Sequence, residues 1–220
     1  MPDQAQAINV SLEGISGCGK SYLLSKLRET LSDLPVTFLE EVEDRESRGL
    51  DQEIIALFKK HTDRLFRGGH PQTETLLLMA LKAYDAEVNV APALAAGHII
   101  IEDRSIDSVA VYQAAILHPG EPDRQIEAAH RIYHATCQWR TAPDVTFLIQ
   151  DDFAASVERA QRRLAHTFAP NELALLREID TLYNRYALCH QKRIICLDRR
   201  QMEIEDIAQT IRETVITHGM

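Results

Sequence analysis

The sequence lacks the features that mark membrane proteins, secreted proteins and zinc proteins. No window reaches the roughly 18 continuous apolar residues of a membrane span, and residues 1–6, MPDQAQ, lack the basic and apolar regions of a signal peptide. The few cysteines form neither CxxC pairs nor groups with histidine at zinc spacing; they are Cys18, Cys137, Cys189 and Cys196. We therefore expect reduced thiols in a cytoplasmic protein without a membrane partner.

Positive charge is also in deficit. Lys and Arg number 24 against 33 Asp and Glu, a net charge of −9, so non-specific binding to nucleic acid is not expected. The 220 residues, 45% of them apolar, suffice for one sizeable core. Because there is no internal repeat, low-complexity tract or flexible linker, residues 1–220 are predicted to form a single domain.

Short apolar segments alternate with helical ones along the chain. Strands are predicted at 7–12, 36–39, 98–102, 145–149 and 193–197. Helical segments are predicted at 21–31, at 73–96 with a buried apolar middle, from 106 onward, and around 123–140. This alternation predicts an α/β fold with a doubly wound parallel sheet, which binds ligands at the carboxyl ends of its strands.

Residues 14–21, GISGCGKS, match the phosphate-loop (P-loop) pattern G-x-x-x-x-G-K-[ST] between the first strand and the first helix. Glycines let backbone N–H groups turn toward phosphate oxygens, and the helix N-terminus adds its dipole. Lys20 would reach the terminal phosphates of ATP, and the Ser21 hydroxyl would ligate Mg²⁺. The predicted nucleotide-binding residues of the loop are Gly14, Ser16, Gly17, Cys18, Gly19, Lys20 and Ser21.

A second polar group, EDRS, ends the central strand at residues 102–105. Asp103 is placed to hold Mg²⁺ through water beside the phosphate loop. Arg104 could clamp a phosphate with the forked geometry that lysine lacks. The alternative is an ordinary surface salt bridge between the two.

Several segments together resemble thymidylate kinases. Residues 71–113, PQTETLLLMALKAYDAEVNVAPALAAGHIIIEDRSIDSVAVYQ, are similar to that family's P-x-TE-x-LL helix, its RPALARG turn and its strand ending DRY…S…AYQ. Residues 143–163, PDVTFLIQDDFAASVERAQRR, resemble the family's next strand and the helix that leads to its lid. The resemblance implies a P-loop kinase with a five-stranded parallel sheet in the order 2-3-1-4-5, helices on both faces, a lid at about residues 159–172, and ATP with Mg²⁺.

The resemblance also implies roles for single residues. Lys20 and Ser21 correspond to the residues at the donor phosphates, and Asp103 and Arg104 to an Asp-Arg pair whose arginine contacts the acceptor. The residues that fall where the lid arginines begin are Arg159, Arg162 and Arg163, for which a solvated helix face is the alternative.

The acceptor half departs from the family pattern. Glu40 stands at the position of an arginine that holds the monophosphate, Leu78 at an aromatic ring that stacks on thymine, and Lys82 at a base-reading arginine. Ser105 replaces a tyrosine and Ser16 an acid, whereas the Tyr112 position is kept. The predicted acceptor-binding residues are Glu40, Leu78, Lys82, Arg104, Asp107 and Tyr112.

These departures favour an acceptor hydroxyl over a monophosphate. A glutamate would repel a phosphate, whereas a hydroxyl needs a carboxylate to take its proton. Deoxynucleoside kinases resemble the chain locally, with a glutamate after the second strand and an ERS group after the third. On that likeness Glu41 is the predicted general base, with Glu40, Glu43 or Asp44 shaping the charge felt by the acceptor. The alternative is that residues 40–51 form a solvated loop.

Three hypotheses result. The first is an ATP-dependent kinase acting on a hydroxyl of a small molecule, either a nucleoside or an amino sugar. The second is a divergent nucleoside monophosphate kinase that holds its phosphate with Arg104, Lys82 and lid arginines. The third is a nucleotide-binding regulatory module without transfer activity, which would have little use for Asp103 and Arg104. The sequence leaves a homodimer open.

Overall fold

The computed structural model describes residues 7–41 and 49–218, and within them five strands pair in parallel. The strands are β1 (Asn9–Glu13), β2 (Val36–Leu39), β3 (Ile99–Asp103), β4 (Val145–Gln150) and β5 (Ile194–Asp198). Their order across the sheet is β2-β3-β1-β4-β5. This order and the α/β class confirm the predicted fold.

Helices follow the strands and surround the sheet. They are α1 (Lys20–Thr30), α2 (Leu50–His61), α3 (Pro71–Asp85), α4 (Ala91–Ala95), α5 (Ile106–Leu117), α6 (Pro122–Thr136), α7 (Phe153–Leu164), α8 (Pro170–Cys189) and α9 (Ile204–His218). The helix predicted at 73–96 is interrupted by a π-helical turn at Ala86–Val90, which joins α3 to α4. Among the described residues, none of the helices combines the length and apolar character needed to cross a membrane.

Strand β3 shows why the sheet needs helices on both of its faces. All five of its residues are buried. Ile99 and Ile101 belong to the main core, whereas Ile100 packs with Leu39 and Val90 in a smaller cluster on the other face. Each such fully buried side chain contributes roughly 1.5–3 kcal/mol of transfer free energy. The run of isoleucines therefore anchors the strand whose last residue, Asp103, reaches the carboxyl edge.

A buried ion pair fixes the start of α5 against the far half of the sheet. The Asp107 carboxylate accepts two hydrogen bonds of 2.7 Å from the Arg193 guanidinium, together with bonds from Thr146 Oγ1 at 2.9 Å and Tyr186 Oη at 3.0 Å. Asp107 is fully buried and does not line the cavity described below. These contacts argue against the prediction that Asp107 binds the acceptor, because this side chain holds secondary-structure elements together.

We predict that Asp107→Asn lowers the free energy of unfolding by on the order of 3 kcal/mol at pH 7, because it leaves Arg193 without its counter-charge. Burial raises the pKa of Asp107, but Arg193 and the hydroxyls more than offset this and hold it below the ordinary 3.8. The advantage of the wild type is thus present above pH 3.8 and is lost as the pH falls through the lower folded-state pKa. Urea denaturation at pH 7 and at acid pH measures it, and equal stabilities at pH 7 would contradict it.

Candidate active site

The loop between β1 and α1 has the conformation that its glycines permit. Gly14, Gly17 and Gly19 all have positive φ, at 136°, 83° and 106°. At Gly17 a Cβ would lie 2.0 Å from the carbonyl oxygen of Ser156 in α7, so no larger residue fits there. The buried Lys20 side chain lies across this loop and donates to the carbonyls of Gly14 at 3.0 Å and of Ile15 at 3.2 Å. The local geometry matches the predicted phosphate loop.

Arginines from two distant elements contact this loop. Arg159 of α7 donates to the Gly17 carbonyl at 2.8 Å, and Arg163 of α7 donates to Ser21 Oγ at 3.2 Å. Arg199, which follows β5, donates to the Cys18 carbonyl at 3.0 Å. Arg162 instead pairs with Glu158 on an exposed helix face. The structure thus brings two of the three predicted lid arginines to the loop, and adds Arg199, which no motif had marked.

Asp103 ends β3 next to β1, where Leu12 is its register partner. The side chain is buried, and its Oδ1 has no hydrogen-bond partner among the described residues. Burial raises the pKa of Asp103 above its ordinary value, although Lys20 opposes the shift. A bound cation would satisfy a buried oxygen of this kind.

The donor set at this edge fits Mg²⁺ bound together with a nucleotide. Mg²⁺ is usually held by one or two protein oxygens, by phosphate oxygens and by water. Ser21 Oγ and Asp103 Oδ1 are oxygen donors of the required kind. No group of three or more His, Cys, Asp or Glu within residues 7–41 and 49–218 could hold a metal by itself, so phosphate and water would have to complete the coordination.

Arg104 is held in a strained conformation directly after β3. Its φ is 66°, in the left-handed region that costs a non-glycine residue about 1–3 kcal/mol. Its Nε forms an ion pair of 3.0 Å with Glu41 Oε1, and its guanidinium lies 5.1 Å from the centre of the Tyr112 ring. Lys82 Nζ donates to the carbonyl oxygen of Arg104. These contacts hold the guanidinium at the cavity despite the strain.

The two glutamates after β2 point in different directions. Glu41 faces Arg104, whereas Glu40 is half exposed and accepts from Arg28 at 2.8 Å. Glu40 does not line the cavity, which argues against its predicted contact with the acceptor. The predicted charge-shaping residues Glu43 and Asp44 lie outside the described residues.

Glu41 is an ionised partner of cations. Its burial acts to raise its pKa, but Arg104, Lys20 and Lys82 more than offset burial and hold the pKa below the ordinary 4.5. A carboxylate with a lowered pKa is a weaker base than an ordinary glutamate. The pairing therefore favours a structural and electrostatic role over the predicted role of Glu41 as general base.

A cavity of about 460 Å³ adjoins Arg104 and Glu41. In the described part of the chain, its charged lining comprises five cationic side chains (Lys59, Arg64, Lys82, Arg104 and Arg163) and two acidic ones (Glu41 and Asp63). The predicted residues Ser16, Leu78 and Tyr112 also line it. No role was predicted from the sequence for Lys59, Arg64, Phe66 or Gln113. The first three lie outside every recognised motif, and Gln113 ends the segment of residues 71–113 without a role of its own.

The chain is similar in sequence and in fold to known proteins. The profile of the thymidylate kinase family matches residues 12–211. A probable thymidylate kinase of Methanoculleus marisnigri is 30% identical over 189 residues, covering 86% of this chain and 85% of the relative. A thymidylate kinase of Rickettsia bellii is 30% identical over 212 residues, covering 94% and 95% respectively. The crystal structure of thymidylate kinase from Ehrlichia chaffeensis shares the fold, with a TM-score of 0.67 and 18% identity over 95% of this chain and 98% of that one.

We predict that Asp103→Asn weakens the binding of ATP in the presence of Mg²⁺ by roughly tenfold, the lower end of the usual cost of disturbing a metal's surroundings. Binding of ATP in EDTA should not weaken, because the variant removes a negative charge from the phosphate site. Titration calorimetry under both conditions measures the difference. The matched control is Glu40→Gln, which neutralises an exposed carboxylate outside the cavity. If the variant loses the same ATP affinity with and without Mg²⁺, Asp103 supports the fold of the site and does not bind the metal.

Proposed function

The chain belongs to the thymidylate kinase family and is an ATP-dependent kinase, and on that premise we propose that it phosphorylates a nucleoside monophosphate, with dTMP as the first candidate. The second of the three sequence hypotheses therefore replaces the first, since the thymidylate kinase relatives do not support a nucleoside or amino sugar as acceptor. The cytoplasmic location and the homodimer stay predictions.

The observation that carries this proposal is the charge of the cavity. Among residues 7–41 and 49–218, the five cationic side chains that line the cavity outnumber the two acidic ones, although the whole chain has a net charge of −9. A phosphate monoester brings about two negative charges near neutral pH and is attracted by arginines in particular. An amino sugar is cationic, so the same cavity would repel it.

A monophosphate acceptor also removes the need for a general base. Its second pKa is near 6, so the attacking oxygen is largely ionised at pH 7. Glu41 then has no proton to take. We assign it the role of positioning Arg104, because their ion pair at 3.0 Å engages Nε.

Among the described residues, the terminal nitrogens of Arg104 make only long hydrogen bonds. Nη1 donates to Ser108 Oγ at 3.3 Å and Nη2 to Ser16 Oγ at 3.4 Å. Both contacts are longer than a strong hydrogen bond. They can give way to phosphate oxygens, which bind an arginine through two parallel bonds.

The proposed mechanism divides the work between the two sides of the site. The phosphate loop and Lys20 bind the donor phosphates, while Arg163 of α7 lies within reach of both the loop and the cavity. Arg104 and Lys82 hold the acceptor phosphate and neutralise charge that develops during transfer. Ser21 and Asp103 would hold Mg²⁺, which when bound offsets the charge of the donor phosphates.

We expect ADP formation from ATP and Mg²⁺ with at least one deoxynucleoside monophosphate and not with thymidine or an aminoglycoside. A coupled assay with dTMP, dUMP, dCMP, dAMP and dGMP tests this. The full set of bases is needed because Leu78 and Lys82 stand where the family has an aromatic ring and an arginine. Turnover of thymidine or the aminoglycoside without turnover of any monophosphate would restore the hydroxyl-acceptor hypothesis.

We predict that Arg104→Lys lowers kcat/KM for the monophosphate by about 2–4 kcal/mol of transition-state stabilisation, because lysine cannot make the forked contact. The matched control is Arg162→Lys, which lies less than one helical turn after Arg159 in α7 but pairs with Glu158 on the exposed face of that helix. Steady-state kinetics with both substrates varied separates the two variants. If Arg104→Lys lowers kcat/KM by less than twofold, Arg104 and its ion pair with Glu41 have a structural role only.

A further inference from the structure

The turn between α2 and α3 forms one wall of the cavity, and a single aspartate holds it closed. Asp63 Oδ1 accepts from the amides of Leu65 at 2.8 Å and Arg67 at 3.0 Å, and Asp63 Oδ2 accepts from Arg67 Nε at 2.7 Å. The backbones of Asp63 and Arg67 are also bonded, at 3.2 Å. Residues 63–67 thus form a closed turn within a connection of nine residues between His61 and Pro71.

The turn is also tied to the helices on either side. Thr62 Oγ1 donates to the Phe58 carbonyl at the end of α2, at 2.8 Å. Glu74 Oε1 in the first turn of α3 accepts from the amides of Gly68 at 2.8 Å and His70 at 3.0 Å. With both ends fixed, the side chains of the turn have defined positions relative to the cavity.

Phe66 occupies this turn at a conformational cost. Its φ is 58°, and a bulky residue in the left-handed region is a true outlier. Such strain persists only where the surroundings over-determine it, and it concentrates at binding sites. The Phe66 ring contacts the buried Phe58 ring edge-on, with centroids 4.9 Å apart and planes at 71°. It is only partly buried and lines the cavity.

Phe66 differs from the other aromatic ring described at the cavity in that it has no guanidinium against it. Two aromatic residues, Phe66 and Tyr112, line the cavity within the described part of the chain. Tyr112 already lies under the Arg104 guanidinium and meets Tyr183 edge-on, with centroids 6.1 Å apart. Phe66, by contrast, has one aromatic contact among the described residues, the edge-to-face contact with Phe58. The apolar side chains Leu65 and Leu78 extend the same lining.

A buried donor indicates that the occupant carries heteroatoms. Gln113 is fully buried, and its Oε1 accepts from Thr75 Oγ1 at 3.0 Å. Its Nε2 has no hydrogen-bond partner among the described residues, although Gln113 lines the cavity. An unpaired buried donor costs about 1–3 kcal/mol of folding free energy unless a ligand or water satisfies it. A flat ring with acceptor atoms on its edge suits this combination of an aromatic face and a polar donor.

We propose that Phe66 is a specificity-determining residue on which the base of the acceptor nucleotide stacks, and that the Asp63-held turn keeps its ring in place. This inference rests on the proposed function, because it assigns the base of the same acceptor whose phosphate Arg104 holds. It places recognition of the base on the α2–α3 turn, in addition to α3 and α5.

The test compares Phe66→Leu with Phe66→Tyr in the full-length enzyme. Phe66→Leu keeps an apolar side chain but removes the ring, so the KM for the accepted monophosphate should rise by roughly tenfold, as expected for loss of a base–aromatic stack. The KM for ATP should stay within about twofold, since the donor loop is not touched. Phe66→Tyr keeps the ring and should restore the acceptor KM to near the wild-type value.

Phe58→Leu is the control for a loosened turn. Phe58 makes the same edge contact from the helix side but does not line the cavity. It should therefore reduce stability, measured by thermal unfolding, without raising the acceptor KM. The inference is overturned if Phe58→Leu raises that KM as much as Phe66→Leu does, or if Phe66→Leu leaves it unchanged.

Binding of deoxynucleosides separates this inference from the proposed function. Calorimetry with thymidine, deoxycytidine, deoxyadenosine and deoxyguanosine probes the base without the phosphate, and Phe66→Leu should weaken whichever nucleosides the wild type binds. If the wild type turns over no monophosphate but Phe66→Leu still weakens nucleoside binding, the proposed function fails and the base site stands. Equal nucleoside affinities, or no nucleoside binding by the wild type, overturn the base site.

Discussion

The Glu13 carboxylate, buried at the end of β1, is the interaction on which the geometry of the site depends. It accepts hydrogen bonds from the Ser105 amide at 2.7 Å, from Tyr183 Oη at 3.0 Å and from the hydroxyls of Ser11 and Ser108. Burial raises the pKa of Glu13 and the charge of Asp107 raises it further, whereas the hydrogen bonds from the three serines lower it. A buried carboxyl with four donors is rigid, because each donor would lose a partner if it moved.

This carboxylate lies between the two halves of the site. The phosphate loop starts at the next residue, Gly14, and the amide that Glu13 holds belongs to Ser105, directly after Asp103 and Arg104. The positions of the donor loop and of the acceptor arginine are therefore both fixed by one buried group, Glu13. The left-handed conformation of Arg104 fits this arrangement, since its backbone is fixed by the Glu13–Ser105 bond on one side and by the register of β3 on the other. A strained residue is retained where its neighbours determine its position.

The elements and the donor site were predictable from local patterns, whereas the roles of several polar residues were not. Alternating apolar segments located the five strands, and residues 14–21 located the phosphate loop, because both signals lie within a few residues. The strand order came from the family resemblance. The ion pair of Asp107 was not foreseen because its partner, Arg193, lies 86 positions away, and a spacing in the sequence does not show which way a side chain turns. The cationic character of the cavity was hidden for the same reason, since its charges come from residues scattered between 59 and 163.

The acids after β2 are compatible with a phosphate acceptor once their directions are known. Glu40 is bound to Arg28 outside the cavity, so its charge is compensated locally. Glu41 takes the Nε side of Arg104, and this leaves the two terminal nitrogens, which are the pair that matches a phosphate, in long contacts with hydroxyls. An arginine oriented by a carboxylate has lost its rotational freedom before the acceptor arrives. A glutamate beside a phosphate site therefore acts through the arginine that it orients. Its negative charge cancels one positive charge of the cavity, whose described lining has several.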